Sequence, residues 1–197
     1  MSDRSEKSLE ERYHVYERQV VRIEEFASSG YILDIGGGGE GVIGLLKGSD
    51  VIAIDINRRE LEEAAEGALK IVMDAKDLQF LDGAFNTATA FFSLMFLKKD
   101  SDYREVFDEV FRVLRPGGCF LIWDTNISER PDVPQPSYAV LLTVRVNDQE
   151  IETGYGQAWP TEAHDLSFYE ALARDAGFQV ESCKTEGHFF SLQLQKP

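Results

Sequence analysis

The stretch Tyr31-Ile32-Leu33-Asp34-Ile35-Gly36-Gly37-Gly38-Gly39-Glu40-Gly41 decides the reading of this chain. A short apolar run ending in glycines has the form of a buried parallel strand that stops at a tight turn. Glycine permits positive φ and, lacking Cβ, lets the backbone approach a ligand closely. Val42-Ile43-Gly44-Leu45-Leu46 follows as a short helix whose N-terminus faces the turn. A second apolar run, Val51-Ile52-Ala53-Ile54, ends in Asp55, about twenty residues past the first glycines. An acid at that strand tip is placed to hold a ribose hydroxyl pair in a nucleotide-binding βαβ unit.

The glycine turn fits G-x-G-x-x-G only formally, through Gly36, Gly38 and Gly41, because nearly every residue there is glycine. The remaining motifs separate the readings. Asp34-Ile35-Gly36-Gly37-Gly38, Asp55, Met73-Asp74-Ala75 and Leu114-Arg115-Pro116-Gly117-Gly118 occur in that order. Together they resemble the Rossmann-like class I S-adenosylmethionine (SAM) dependent methyltransferases of the "methyltransferase domain 11" pattern, from about residue 30 to the end.

The resemblance implies an α/β fold, a doubly wound seven-stranded sheet of order 3-2-1-4-5-7-6 with the last strand antiparallel and helices on both faces. It implies SAM as cofactor, with S-adenosylhomocysteine as product. By motif position it assigns cofactor contacts to Asp34, Gly36, Gly37, Gly38, Asp55, Ile56, Asp74, Ala75, Phe92 and Ser93. In the family an acid placed like Asp74 accepts a hydrogen bond from the adenine amine, and the next backbone N–H serves a ring nitrogen. Asp74 also suits a plain helix cap for Lys76-Asp77-Leu78. The family's Asp-x-Gly-x-Gly-x-Gly pattern would place its last glycine at Glu40, where a carboxylate repels the methionine carboxylate unless it faces solvent or meets the ammonium.

At 197 residues, with 43% hydrophobic and 28% charged content, the chain suits one globular domain, 1–197. No apolar run nears the ~20 residues that span a bilayer, and the polar first residues carry no signal-peptide core; a cytoplasmic location is expected. Twenty basic against thirty-five acidic residues, net −15, disfavour nucleic acid or an anionic membrane as partner. Cys119 and Cys183, each in an apolar run, read as a reduced, buried pair. Oligomeric state is unreadable.

Leu9, Tyr13, Tyr16, Val20, Ile23 and Phe26 keep spacings of three or four, which predicts an amphipathic helix within 1–29 capping the cleft. The family often contacts the methionine part of SAM with an N-terminal tyrosine, here Tyr13 or Tyr16; core packing is the other reading. Strands are expected over 69–73, 85–92, 119–123, 178–183 and 188–194, and helices over 58–64, 103–114 and 165–176. Three of the six prolines mark 127–137 as a linker. Alternation on either side of Asn147-Asp148-Gln149 predicts a β-hairpin, so 127–160 forms an insertion over the site.

Substrate selection is assigned to that hairpin, with Tyr155, Trp159 and Glu152 as candidates, and Met95 and Phe96 lining the acceptor pocket. Asp124-Thr125-Asn126, at the fifth strand's tip, either orient an acceptor or satisfy loop backbone. Methyl transfer from a sulfonium depends on in-line placement and exclusion of water more than on acid–base groups. Catalytic residues therefore stay unassigned. His14, His164 and His188 read as structural, with His164 the best placed for a base, and their separations match no zinc site.

The expected function is methyl transfer to a small-molecule acceptor. The alternatives are an NAD-dependent oxidoreductase, which predicts neither the acid at 74 nor Arg115-Pro116-Gly117-Gly118, and a non-catalytic SAM-binding or interaction protein, for which Glu40 gives room.

Overall fold

In a computed structural model, which describes residues 9–197, two sheets share one chain. The larger has seven strands: β2 (Ile32–Ile35), β3 (Val51–Asp55), β4 (Leu69–Val72), β5 (Phe85–Phe91), β6 (Leu114–Thr125), β9 (Gln179–Glu186) and β10 (Phe189–Gln195). Their spatial order is β4-β3-β2-β5-β6-β10-β9, which in strand count is 3-2-1-4-5-7-6, as expected. The first five run parallel, and β10 is antiparallel to both neighbours. A parallel sheet is covered on both faces, so its central strands are buried and mostly apolar. All four residues of β2 are buried.

Helices α4 (Asp100–Val113) and α5 (Leu166–Ala176) cover one face. Tyr103, Val106, Phe107 and Val110 of α4 and Tyr169 and Leu172 of α5 pack there on Ala88, Phe120, Ile122, Phe190 and Leu192. Asp165 caps α5, accepting from the Phe168 N–H at 3.2 Å, and Gly177 at φ 101° ends it. The other face carries α2 (Val42–Lys47), α3 (Arg58–Glu63) and a second, three-stranded sheet. Asn57 caps α3, accepting from the Arg59 N–H at 3.1 Å.

That second sheet has the order β1 (Tyr13–Ile23), β7 (Ser137–Val146), β8 (Gln149–Ala158). β7 and β8 form a hairpin that turns at Asn147-Asp148, with Asn147 at φ 51°. The expected N-terminal helix is a correction: after one turn, α1 (Leu9–Arg12), the chain is a strand, parallel to β7. Residues 1–8 of the expected cap lie outside the described residues. Tyr13, Val15, Tyr16, Val20, Val21 and Ile23 are β-branched or aromatic and favour a strand. The helical spacing arises from a bulge. Tyr16 pairs with Val140 but Gln19 with Leu142, so one extra residue shifts the alternation.

Two smaller corrections belong here. The Arg115-Pro116-Gly117-Gly118 turn lies within β6 as an irregularity between the pairs Phe85↔Leu114 and Thr87↔Cys119, with Gly117 at φ 77° donating to the Lys196 carbonyl at 2.8 Å. The cysteines are free but not buried: Cys183 is exposed on edge strand β9, and Cys119 is half-buried. Among the described residues no helix is long and apolar enough to cross a membrane.

Candidate functional site

The parallel register aligns the strand tips. Ile35 pairs with Ile54 and Ala90, Asp55 with Val72, and Phe91 with Trp123. The residues just beyond these pairs therefore stand in one row along the carboxyl edge of the sheet: Gly36 to Gly38, Asp55 and Ile56, Asp74 and Ala75, Phe92 and Ser93, and Asp124. All ten expected cofactor residues lie in or beside this row. In an open α/β sheet that edge is where ligands bind.

The glycine turn is held by the chain itself. Gly37 donates to the Ile54 carbonyl at 3.0 Å, and Gly39 donates to the Glu60 carbonyl at 3.0 Å. Its left-handed positions are Gly36 (φ 68°), Gly39 (φ 62°) and Gly41 (φ 59°), so residue 40 carries a side chain without backbone strain. A Cβ on Gly36 would collide with Ser93, and one on Gly38 would lie 2.8 Å from Asp55 Oδ2. Three strand tips thus close around the turn. Asp34 is fully buried, accepts from Thr89 Oγ1 at 2.7 Å, and is pushed up to about 7 by burial. It braces the turn from inside the sheet rather than facing the cleft.

Asp55 accepts the Asn57 N–H through Oδ1 at 2.8 Å, and its other oxygen borders Gly38. Beside it Ile56 is 71% exposed, an uncommon setting for so apolar a side chain. Asp74, at the neighbouring tip, accepts the Lys76 N–H at 3.0 Å and lies 3.9 Å from the Lys76 ammonium. It closes a turn, not the expected helix, since no helix forms over residues 76–78; its side chain remains partly exposed. An apolar platform between two partly exposed carboxylates suits a purine nucleoside, which offers a flat ring, an exocyclic amine and a hydroxyl pair.

At the β5 tip Phe92 adopts φ 47°, although it is not glycine and its side chain is buried. A bulky residue in the left-handed region costs on the order of 1–3 kcal/mol and gathers at functional sites. Ser93 donates to the Ile35 carbonyl at 2.6 Å, tying the β5 tip to the glycine turn. Asp124 accepts from the Met95 N–H at 3.1 Å and the Thr125 N–H at 2.7 Å. Burial pushes its carboxyl up to about 7. Asn126 Oδ1 accepts from the Leu166 N–H at 3.0 Å, and the Thr125 hydroxyl lies 3.4 Å from that of Tyr138. These three polar residues satisfy local partners, and Asp124 pins the 93–96 turn.

The hairpin reaches back to the glycine turn. Thr153 Oγ1 and the Tyr155 hydroxyl both donate to the Glu40 carboxylate, the latter at 2.8 Å. The Tyr155 ring stacks on Phe92 at 5.3 Å, and Phe96 meets it edge-on at 6.5 Å. No sequence signal linked residues 40 and 155. The only hint was that Thr153 and Tyr155 share one face of a strand. Glu152 faces the opposite way and lies 3.8 Å from Arg18, which removes it from the cleft.

The other candidates fall into two groups. Tyr16 stacks on His188 at 3.8 Å and meets His14 at 4.8 Å and Trp159 at 6.4 Å. Burial and the neighbouring His14 lower the His188 pKa. Tyr13 instead packs on Gly156. His164 is apart from both: its Nδ1 lies 3.3 Å from the Tyr103 hydroxyl and its Nε2 3.6 Å from Asp100. Among the described residues no three His, Cys, Asp or Glu side chains converge as metal ligands would.

A seven-stranded sheet of this order, with a glycine turn after its first strand and acids after the next two, is the fold of the class I SAM-dependent methyltransferases. Residues 33–122 match the family model described as "Methyltransferase domain". The cofactor of that class is SAM. The chain is 28% identical to a 24-methylenesterol C-methyltransferase 2 of Oryza sativa, over 88% of this chain and 48% of the relative. It is 26% identical to a sterol 24-C-methyltransferase of Kluyveromyces lactis, over 64% and 34%. It thus spans less than half the length of these relatives. In fold it is similar to a SAM-dependent methyltransferase from Methanosarcina mazei (TM-score 0.64, 19% identity, 87% of this chain and 94% of that one). A SAM-dependent methyltransferase from Mesorhizobium loti is comparable (TM-score 0.61, 15% identity, 86% and 93%).

Proposed function

We propose that this protein transfers the methyl group of SAM to a small, largely apolar acceptor. The observation that carries the reading is the row of strand tips: a glycine turn, Asp55 with exposed Ile56, and Asp74, all on one sheet edge. In this reading Asp55 accepts from the ribose hydroxyls, Ile56 lies against the adenine, and Asp74 and the Ala75 N–H meet its polar edge. Gly36, Gly37 and Gly38 let the backbone approach the methionine part, while Phe92 and Ser93 border it. SAM itself supplies an electrophilic methyl on a good leaving group. The chain's task is to orient the acceptor and exclude water.

In this reading Met95, Phe96 and Tyr155 border the acceptor, with Phe96 edge-on to the Tyr155 ring, so apolar contact dominates that side. The sterol methyltransferases it matches act, by name, on a bulky apolar small molecule, which supports the same class here. The net charge of −15 weighs against a nucleic-acid acceptor. No general base is assigned: His164 is bound up with Tyr103, and a carbon nucleophile without an acidic proton needs none before attack.

Calorimetric titration with SAM and S-adenosylhomocysteine, with NAD as control, tests the reading. Micromolar SAM binding that Asp55→Ala weakens by about tenfold or more is the expected result. Binding of NAD without a response to SAM would replace it with the oxidoreductase.

A further inference from the structure

Tyr155 spans the cleft. Its hydroxyl donates to Glu40 on the glycine turn, at 2.8 Å, while its ring stacks at 5.3 Å on Phe92 at the β5 tip. The glycine turn and the β5 tip are the two sides between which the methionine end of a class I cofactor is proposed to lie. Thr153, two residues earlier on the same face of β8, donates to the second Glu40 oxygen. Farther along, Asn147 at the hairpin turn donates to the Leu45 carbonyl of α2 at 3.1 Å. The adenosine end, by contrast, is open, with Ile56 mostly exposed.

We infer that Glu40 is a positioning residue and the keeper of a latch: its carboxylate clasps β8 across the methionine end of the cleft, and release of that clasp sets how fast cofactor enters and leaves. Three features of the chain support this. Residue 40 stands where the family pattern has glycine, yet its backbone is unstrained, so the side chain is there for its contacts and not tolerated by accident of φ. Both carboxylate oxygens are engaged by hydroxyls of a single strand, β8, an edge strand whose only ladder partner among the described residues is β7. Hydrogen bonds from neutral donors to a carboxylate are about twice as strong as neutral pairs, yet they are remade with water on opening, as a reversible clasp requires. The inference rests on the methyltransferase reading for the identity of the ligand, but not for the clasp itself.

The test uses the full chain as wild type, Glu40→Gly, Glu40→Gln and the double variant Thr153→Val/Tyr155→Phe. Amide hydrogen exchange of the ligand-free protein reads the clasp, and stopped-flow with SAM and S-adenosylhomocysteine reads the gate. In Glu40→Gly and in the double variant, exchange over 149–158 should rise while that of β2, β3 and β5 stays constant. Association and dissociation of SAM should both accelerate by about tenfold or more, with a much smaller change in Kd. Glu40→Gln, which keeps one acceptor oxygen, should fall between. Unchanged exchange over 149–158 overturns the latch whatever SAM does. Raised exchange with unchanged SAM rates overturns the gate. Failure of SAM to bind any of the four proteins overturns the cofactor reading and the gate together, with the exchange data still deciding the clasp.

Discussion

The Thr89 hydroxyl donates to the Asp34 carboxyl at 2.7 Å, and both side chains are buried in the middle of the parallel sheet. An acid from β2 and a hydroxyl from β5 thus form a polar bridge directly under the glycine turn. Burial raises the Asp34 pKa to about 7 from an ordinary 3.8, with the Asp55 charge adding to the rise and the Thr89 hydrogen bond opposing it. Between about pH 4 and pH 7 the unfolded chain has lost a proton that the folded chain keeps. Stability therefore falls as pH rises through that window and levels off above it. Asp124 is raised likewise, so Asp34→Asn should remove only the Asp34 share of this slope in urea unfolding measured from pH 4.5 to 8. An unchanged slope would show that Asp34 is ionised throughout. Thr89→Val, which removes the donor, should extend the fall to higher pH and cost about 1–3 kcal/mol above pH 7.

Asp124 anchors the opposite end of the row. It takes the Met95 and Thr125 N–H groups, at 3.1 and 2.7 Å, in a fully buried position. Asp124→Ala leaves both donors without an acceptor and should cost about 2–4 kcal/mol in chemical denaturation. SAM binding should weaken too, because the 93–96 turn loses its pin. A stable Asp124→Ala protein with unaltered binding would mean that the turn is held by packing alone.

Gly36→Ala places a methyl group into Ser93 at a positive φ. The two penalties together should exceed about 2 kcal/mol, read as a lowered urea midpoint. Ser93→Gly on that background removes the collision but also the hydrogen bond to the Ile35 carbonyl, so the midpoint should recover only in part. The left-handed penalty of about 1–2 kcal/mol stays.

Ile56→Glu tests the adenosine end without disturbing the fold. The side chain is mostly solvent-exposed, so thermal stability should shift by no more than about 0.5 kcal/mol. Losing the apolar platform and adding a charge should weaken SAM and S-adenosylhomocysteine equally, by about tenfold or more in calorimetry. Unaltered affinity would move the adenine away from Ile56.

The central sheet was legible because its signals are local. Asp34-Ile35-Gly36, Asp55, Asp74 and the apolar runs preceding them each mark a strand end, and the parallel register brings those ends together. β1 was not legible. Its pairing with β7 lies far along the chain, and the bulge between Tyr16 and Gln19 turned a strand alternation into helix-like spacing. Glu40 was recognised as a departure from the family pattern, but its partners on β8 depend on how the hairpin folds back over the turn. Cys183 misled because Phe178 and Val180 lend edge strand β9 an apolar look that only one end of it justifies.

The pairing of β1 with β7 also bears on the order in which the molecule assembles. Arg18 donates to the Leu142 carbonyl at 2.8 Å across 124 residues of chain. On a ribosome β1 must wait until β7 has emerged, and closing so long a loop is costly until β7 and β8 exist to reward it. The roof over the cleft is then laid after the parallel strands β2 to β6, and that floor forms in its absence. Pulse-labelled exchange during refolding should find β2, β3 and β5 protected before β1. The reverse order would mean that the roof nucleates on its own.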